Sequence, residues 1–200
     1  MKLYLQNIVN DIPFENLPAK WQGFDLTRFS KDKTLFDFQK DALRNAIKAL
    51  HLYFKDKNFD KKVLFEHYKL SGLEENFDYD LKKKQDSKTA KYLLDYPEDY
   101  PVVENKIFFA HFINRMSFWM ATGSGKTLII VKLIELLGEL IAEKELPNHD
   151  ILFLVHRDDL LEQFKNHVEE FNSFNFDTKI NLKSLRDYES VKRENALLEV

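Results

Sequence analysis

One short run of the chain, Ala121 to Thr127, has the residue types and the spacing needed to bind a polyphosphate. Gly123 and Gly125 lack a Cβ atom, so the backbone there can curl tightly and point consecutive amide groups at an anion. Lys126 can reach the β- and γ-phosphates of a nucleotide, and the Thr127 hydroxyl can ligate Mg²⁺. The run therefore predicts a loop that binds a nucleoside triphosphate together with Mg²⁺.

The segments on either side of this loop are those that such a loop requires. Met116 to Met120 predicts a buried strand, and the apolar run from Leu128 to Ile141 predicts a long buried helix. A helix that begins near Gly125 would add its free amide groups and the positive end of its dipole. A glycine usually stands five residues before the Gly-Lys pair, and Met120 stands there in this chain. A chance occurrence of the loop residues in a surface turn is the alternative, and the flanking strand and helix argue against it.

Three segments resemble motifs of known motor proteins. Ala121-Thr-Gly-Ser-Gly-Lys-Thr127 resembles motif I of superfamily 2 helicases and translocases. Phe36-Asp-Phe-Gln-Lys-Asp-Ala42 is similar to the segment whose glutamine reads adenine in those proteins, and Val155-His-Arg-Asp-Asp-Leu-Leu-Glu-Gln163 resembles motif Ia of restriction-enzyme motor subunits. Together they resemble most closely the Res subunit of type III restriction enzymes. This resemblance implies an α/β, RecA-like P-loop core with a parallel sheet, ATP and Mg²⁺ as cofactors, and ATP-driven translocation on double-stranded DNA.

The candidate site residues follow from the loop chemistry and from the resemblance. Those expected to bind the nucleotide are Gln39, Ala121, Thr122, Gly123, Ser124, Gly125, Lys126 and Thr127, with Lys126 and Thr127 as catalytic residues and Thr127 as the Mg²⁺ ligand. A carboxamide such as that of Gln39 can donate to N7 of adenine and accept from its N6 amine, and a solvated helix glutamine is the alternative. Arg157 is expected to contact a DNA phosphate, and an ion pair with Asp158 or Asp159 is the alternative.

The chain divides into four predicted regions. They are a lead-in over residues 1–33 that is irregular apart from one short strand, an adenine-reading helix region over 34–54, a charged insertion over 55–106, and the first half of a RecA-like ATP-binding domain over 107–200. Apolar residues at helical spacing predict a helix from Thr34 to Phe54, with Thr34 as its cap. Aromatic side chains such as Trp21 and Phe29 are expected to pack the lead-in onto its domain.

The predicted insertion holds eleven Lys, twelve acidic residues and no Arg, which indicates a solvated segment with one helix near Lys61 to Tyr68. The triplet Lys82 to Lys84 is expected to be a solvated charge run, with contact to a nucleic-acid backbone as the alternative.

The part of the chain after the loop helix predicts three further elements and one last helix. Ile151 to Val155 is an apolar run of strand length, and its position after a loop and helix implies a parallel pair with the strand before the loop. Asp158 or Asp159 is expected to cap a helix whose apolar face includes Phe164, Val168 and Phe171. Thr178 to Leu182 predicts another strand, and a final helix is expected from Tyr188.

Composition excludes several classes of protein. The chain has no cysteine, so it has neither a disulfide framework nor a thiolate metal site. It begins without a signal sequence and has no run long enough to span a membrane, so we expect a cytoplasmic protein. With a net charge of −3, any contact with DNA must come from a local patch.

The carboxylate motif that completes an ATPase site in superfamily 2, Asp-Glu-x-His or Asp-Glu-Ala-Asp, does not occur in the 200 residues. We therefore expect an N-terminal fragment of a longer motor that binds nucleotide but does not turn it over alone. The resemblance implies that a nuclease would lie beyond residue 200 and that a methyltransferase subunit is a partner. Two other functions stay open: a P-loop enzyme of another class, and a catalytically inactive module that binds DNA or protein.

Overall fold

A computed structural model describes residues 4–73, 77–82 and 87–185. The chain forms two compact units: unit 1 comprises Met1–Pro13 and Lys48–Ser117, and unit 2 comprises Phe14–Ile47 and Phe118–Val200. The final helix predicted from Tyr188, and two of the three lysines of the Lys82 triplet, lie outside the described residues.

Helices dominate the described part of the chain. They are α1 (Tyr4–Asn10), α2 (Ala19–Gln22), α3 (Asp37–His51), α4 (Lys61–Leu70), α5 (Lys88–Leu94), α6 (Lys126–Ala142) and α7 (Asp158–Phe174). Short 3-10 helices cover Phe14–Asn16 and Phe109–Phe112, and a π-helical turn covers Leu52–Asp56. Two short strands, β1 (Tyr79–Asp80) and β2 (Lys106–Ile107), pair antiparallel. Every helix in these ranges is too short or too polar to reach across a lipid bilayer.

Unit 2 is built on the packing of α6 against α7. The sequence predicted a buried helix from Leu128 to Ile141, and α6 confirms it with slightly wider bounds. The helix begins at Lys126 because Gly125, its N-cap residue, has a left-handed backbone conformation with φ 72° and ψ 35°. Its buried apolar residues are Ile129, Val131, Ile134, Leu136, Gly138 and Leu140.

Helix α7 carries an apolar stripe toward the interior of unit 2. Phe164, Val168 and Phe171 share one face at helical spacing and are buried, which confirms the predicted face at these three positions. The predicted cap is wrong, because the N-cap residue is Arg157 in an extended conformation. Asp158 instead lies in the first turn, where a negative charge interacts favourably with the positive end of the helix dipole.

Helix α3 begins at Asp37, three residues later than predicted. Thr34 does not cap it, because Thr34 forms an antiparallel bridge with Arg28. The Phe36 amide, just before the helix, instead donates to Gln39 Oε1 at 2.9 Å. This is the return bond of a capping box, supplied by the third helical residue.

The buried face of α3 differs in part from the predicted one. Ala46 and Ile47 are buried as predicted. Phe38, predicted to be on that face, is half exposed, and Leu43 is fully buried in its place. Gln39, Leu43, Ala46 and Ile47 recur at helical spacing and are all buried, so the buried stripe of α3 runs through Gln39 and Leu43 and leaves Phe38 to one side of it.

The predicted parallel sheet is absent from the described residues, where the sheet is the two-stranded antiparallel pair of β1 and β2. Residues 116–120 and 151–155 form no strand. Along 151–155 burial still alternates, and Leu152 and Leu154 are 60% and 76% exposed. An apolar run becomes a strand only when a neighbour accepts its backbone hydrogen bonds, and these runs have no such neighbour in the described part of the chain.

The strand predicted at Thr178 to Leu182 is also wrong, for a specific reason. The Ile180 amide donates to Asn172 Oδ1 at 2.8 Å, and the Ile180 carbonyl accepts from Asn172 Nδ2 at 2.8 Å. The Asn172 side chain on α7 thus takes the place of a neighbouring strand for this residue.

The described lead-in is partly helical, with α1 in unit 1 and α2 in unit 2, whereas residues 23–33 are irregular as predicted, apart from the bridge at Arg28. In unit 2 its aromatic residues pack inward as predicted, because Trp21 and Phe29 are fully buried. The Trp21 Nε1–H donates to Glu145 Oε2 at 3.1 Å, just after α6. Lys20 pairs with Glu143 and Glu145 at 3.4 Å each, which attaches α2 to the same segment.

Unit 1 has a hydrophobic core of its own. Its buried members are Ile8, Leu52, Tyr53, Leu64, Tyr68, Leu73 and Ile113. Helix α4 confirms the helix predicted near Lys61 to Tyr68, and Asp60 caps it by accepting from the Lys62 and Val63 amides. The charged segment over residues 55–106 therefore contributes apolar side chains to this core in addition to its solvated charges.

Candidate phosphate-binding site

The backbone of the candidate loop takes the conformation that its glycines permit. Gly123 and Gly125 have φ angles of 79° and 72°, in the left-handed region where a side chain is strained. Between them, the Ser124 amide closes a turn by donating to the Ala121 carbonyl at 3.3 Å. The loop therefore curls immediately before the first residue of α6.

Several hydrogen-bonding groups of the loop have no partner within the described residues. The amides of Gly123, Gly125, Lys126 and Thr127 make no hydrogen bond there. The Ser124 hydroxyl is buried and also lacks a partner in that part of the chain. These amides lie at the N-terminus of a 17-residue helix, where the dipole favours an anion. The loop thus fits a polyphosphate, which would satisfy the unbonded donors.

The Lys126 side chain is exposed, but its amino group is turned back onto the loop. Lys126 Nζ donates to the Ala121 carbonyl at 2.7 Å and to the Met120 carbonyl at 3.1 Å. Thr127 follows it in the first turn of α6 and is half-buried. The one cation of the loop therefore lies against the carbonyls of Met120 and Ala121, at the start of the loop.

The tertiary structure brings Gln39 to the loop from 85 positions away in the sequence. Its side chain is buried, with 2% exposure. Gln39 Nε2 donates to the Ser124 carbonyl at 2.8 Å, and Gln39 Oε1 accepts from the Phe36 amide. A Cβ atom added to Gly125 would lie 2.5 Å from Gln39 Nε2, so the two residues are in direct contact. Both ends of the carboxamide are therefore engaged within the protein.

Two aromatic rings next to Gln39 were not singled out by the sequence reasoning. Phe36 and Phe38 are 66% and 50% exposed, and their rings stack at 5.7 Å with an interplanar angle of 12°. Exposed flat rings can stack on a planar base. The available signal was their position on either side of Asp37, but the predicted apolar face of the helix included Phe38 and so placed it inside.

Arg157 lies at the start of α7, and no described contact joins it to the phosphate loop. Its guanidinium makes a two-point contact with the Asp159 carboxylate, with Nε 2.9 Å from Oδ1. The hydrogen bond from Arg157 lowers the pKa of Asp159. Both side chains are more than half exposed. The ion pair that was one alternative is thus formed, and contact with DNA stays a prediction.

Comparison with known proteins identifies a family. Residues 32–198 match the family described as "Type III restriction enzyme, res subunit", a range that includes Gln39, the candidate phosphate loop and Arg157. Membership implies a RecA-like P-loop fold and a helicase-like ATP-binding domain of a restriction system. No curated protein and no solved structure matches the chain. Because the family match spans well over half of its residues, the chain belongs to the type III restriction enzyme res subunit family.

Proposed function

We propose that the loop from Ala121 to Thr127 binds the polyphosphate of ATP with Mg²⁺, as the ATP-binding part of a DNA-dependent, helicase-type translocase. The observation that carries the proposal is the group of unbonded amides where the loop meets α6, at Gly123, Gly125, Lys126 and Thr127. The first amides of a helix have no acceptor within the helix, and an anion bound at the helix N-terminus satisfies them.

Each loop residue has a distinct role in this proposal. The amides would hold the phosphate oxygens, and Lys126 would exchange its contacts with the Met120 and Ala121 carbonyls for contacts with the β- and γ-phosphates. The Thr127 hydroxyl would ligate Mg²⁺, which neutralises charge on the triphosphate when bound. The Ser124 hydroxyl, which is buried without a partner in the described residues, is a further donor for a phosphate oxygen.

Titration calorimetry with MgATP tests the proposal. The chain is expected to bind, and Lys126→Ala is expected to weaken binding by about tenfold or more, because a hydrogen bond to a charged group contributes about 1.5–3 kcal/mol. Lys165→Ala is the matched control, because Lys165 is exposed on α7 and pairs with Glu162. Equal affinities for the two variants would contradict the proposed site.

Turnover is a separate part of the proposal. The 200 residues contain no Asp-Glu pair to hold Mg²⁺ and orient water, so we propose that this chain binds ATP without hydrolysing it at an appreciable rate. A phosphate-release assay on the purified chain checks this. Steady release that Lys126→Ala abolishes would show that another residue supplies the carboxylate.

Double-stranded DNA is the proposed partner, with Arg157 as one phosphate contact. Duplex binding with and without MgATP separates the possible functions of the chain. A DNA-dependent translocase is expected to change its DNA affinity when nucleotide binds, because the two sites are thermodynamically linked. Duplex binding that is unaffected by MgATP would favour an inactive binding module, and nucleotide binding without any duplex binding would favour a P-loop enzyme of another class.

A further inference from the structure

One exposed surface of unit 1 has no role in the proposed function. It is the segment over residues 92–104, which we term the tyrosine strip and which runs from the last turn of α5 to the turn before β2. Tyr92, Tyr96 and Tyr100 recur along it at every fourth position. Tyr92 and Tyr96 are 66% and 60% exposed, and their side chains contact no other ring, cation or hydrogen-bonding group among the described residues. Aromatic side chains left open in this way are typical of surfaces that bind another protein.

The backbone of the strip is held by hydrogen bonds at two places. In its middle, the Tyr100 amide donates to the Tyr96 carbonyl at 3.0 Å. At its end, Val103 and Lys106 exchange two backbone hydrogen bonds of 2.9 Å each around a two-residue turn. Two prolines within the strip fix further backbone angles. A surface that is formed in advance loses little conformational entropy when a partner binds.

The third tyrosine of the strip already contacts a cation from the same unit. The Arg115 guanidinium lies 5.6 Å from the centre of the Tyr100 ring and 5.2 Å from that of Phe112, and the two rings stack at 5.2 Å. The guanidinium also donates to the Tyr100 hydroxyl. A positive charge over an aromatic face is attracted by the electrons of the ring. An arginine therefore fits a tyrosine of this strip, and Tyr92 and Tyr96 present the same ring with no cation on it in the described part of the chain.

The charges of the strip define the sign of the charge on its partner. The strip contains four carboxylates, those of Asp95, Glu98, Asp99 and Glu104, and no Lys, Arg or His. All four side chains are exposed, and none forms an ion pair or a hydrogen bond within the described residues. Such carboxylates repel the phosphates of DNA and attract the side chains of Arg and Lys.

We propose that the tyrosine strip is a docking surface for an arginine-rich segment of a partner protein, whose cations lie on Tyr92 and Tyr96 and pair with the neighbouring carboxylates. Arginine is expected to bind better than lysine, because its planar guanidinium stacks on an aromatic ring and forms a two-point contact with a carboxylate. The strip lies in unit 1, so this docking does not depend on whether the phosphate loop of unit 2 binds ATP.

Fluorescence anisotropy of the full chain with a labelled peptide of Arg-Gly-Ser repeats tests the proposal. The same peptide with citrulline in place of arginine is the second probe, because citrulline has nearly the same shape and no charge. We expect the arginine peptide to bind about tenfold more tightly or better, since it alone makes cation–π contacts and ion pairs. Its affinity is expected to fall as the salt concentration is raised, because salt screens exposed charges.

Two double variants separate the rings from the charges. Tyr92→Ala/Tyr96→Ala is expected to weaken the arginine peptide about fivefold or more, because two cation–π contacts are lost. Asp95→Asn/Asp99→Asn is expected to weaken it about threefold or more and to reduce its dependence on salt. Leu70→Ala is the matched control, because Leu70 is 88% exposed in the same unit and lies outside the strip. It is expected to leave the affinity unchanged, and thermal melts verify that every variant folds.

Equal affinities for the arginine and citrulline peptides would overturn the proposal, and so would unchanged binding in the double tyrosine variant. Two other occupants of the strip would also overturn it. A dimer in gel filtration that the double tyrosine variant abolishes would show that a second copy of the chain covers the strip. Duplex DNA binding that falls in the same variant would identify nucleic acid as the occupant.

Discussion

Lys132 and Glu135 form an ion pair inside the apolar layer between α6 and α7, where their side chains are 3% and 7% exposed. Lys132 Nζ also lies 5.6 Å from the centre of the Phe171 ring on α7. The Thr178 hydroxyl donates to Glu135 Oε1 at 3.3 Å. Burial raises the pKa of Glu135, while the neighbouring Lys132 opposes that rise. Both members of the pair lie on α6, and they contact the rest of unit 2 through the Phe171 ring and the Thr178 hydroxyl.

Removing one member of this pair is expected to destabilise the protein far more than removing both. Lys132→Met leaves Glu135 buried without a counter-charge and is expected to lower the free energy of unfolding by about 3–5 kcal/mol. The double variant Lys132→Met/Glu135→Leu is expected to be near neutral or more stable, because apolar side chains of similar volume avoid the desolvation of two charges. Urea unfolding followed by circular dichroism measures both. A double variant as unstable as the single one would show that the uncompensated charge of Glu135 is not the cause of the lost stability.

The two loop glycines are expected to differ in their tolerance of alanine. Both have positive φ, so either substitution is expected to cost about 1–2 kcal/mol of stability through backbone strain. At Gly123 an added Cβ atom meets nothing within 4 Å, whereas at Gly125 it meets Gln39 Nε2 at 2.5 Å. Gly125→Ala is therefore expected to cost about 1 kcal/mol more, the value of the hydrogen bond that Gln39 would lose. Thermal melts of the two variants test this order, and an equal or reversed order would contradict it.

Burial alternates along residues 151–155, which predicts that substitutions of two adjacent side chains change the free energy of unfolding by different amounts. The Phe153 ring stacks on the ring of Phe164 in α7 at 4.0 Å, while Leu154 is 76% exposed. Phe153→Ala is expected to lower the free energy of unfolding by about 2–3 kcal/mol, less than a fully buried Phe because Phe153 is half-buried. Leu154→Ala is expected to change it by less than about 0.5 kcal/mol. Chemical denaturation of both variants provides the comparison. A larger effect at Leu154 would contradict the prediction and show that the Leu154 side chain, rather than Phe153, faces the interior.

Glu170 is expected to make stability depend on acid pH. It accepts from the Ser30 hydroxyl at 2.7 Å and from Lys33 Nζ, and His167 Nδ1 lies 3.5 Å from it. Burial raises the pKa of Glu170, but the bonds from Lys33 and Ser30 outweigh it and hold the pKa below its ordinary value of 4.5. An acid with a lowered folded pKa stabilises the fold above its unfolded pKa. This contribution is lost as the pH falls through the folded value.

Glu170→Gln is therefore expected to be less stable than the natural chain at pH 7 by about 0.5–1 kcal/mol, a modest value because the pair is partly exposed. The difference is expected to shrink as the pH falls from about 5 to about 3. Unfolding curves at several pH values measure it. Glu169→Gln is the control, because Glu169 is exposed and immediately precedes Glu170 in α7. It is expected to match the natural chain. A difference that is constant with pH would contradict a role for the charge.

The ion pair at the start of α7 predicts opposite effects of two substitutions on DNA binding. If Arg157 contacts a phosphate, Arg157→Ala is expected to weaken binding to duplex DNA and to reduce the salt slope by about 1. Asp159→Asn releases the guanidinium from its present two-point partner and is expected to strengthen binding. Fluorescence anisotropy over a salt series measures both, with Lys165→Ala as control. If Asp159→Asn has no effect, Arg157 is not a phosphate contact.

Elements that depend on neighbours in the sequence were predictable. The helix after Thr127 was located within two residues at its start because Gly125 permits a left-handed N-cap and the residues beyond it are apolar. The stripe of Phe164, Val168 and Phe171 was predictable for a similar reason, since a 3.6-residue period identifies one face without reference to any partner. Residue types likewise marked Ala121 to Thr127 as a candidate phosphate loop, and its binding of phosphate stays a prediction.

Elements that depend on distant partners were decided by the tertiary structure. The apolar runs at 116–120 and 151–155 were predicted to be strands. A strand forms only when another backbone satisfies its hydrogen bonds, and the pattern of apolar residues does not show whether such a backbone is nearby. In the same way, Gln39 was recognisable as a polar helix residue, while its bonds to the Phe36 amide and the Ser124 carbonyl depend on a contact across 85 positions. The sequence by itself determined which residues are candidates to bind a phosphate, and only the tertiary structure decided what contacts their backbone, because hydrogen bonds form between atoms that are close in space rather than along the chain.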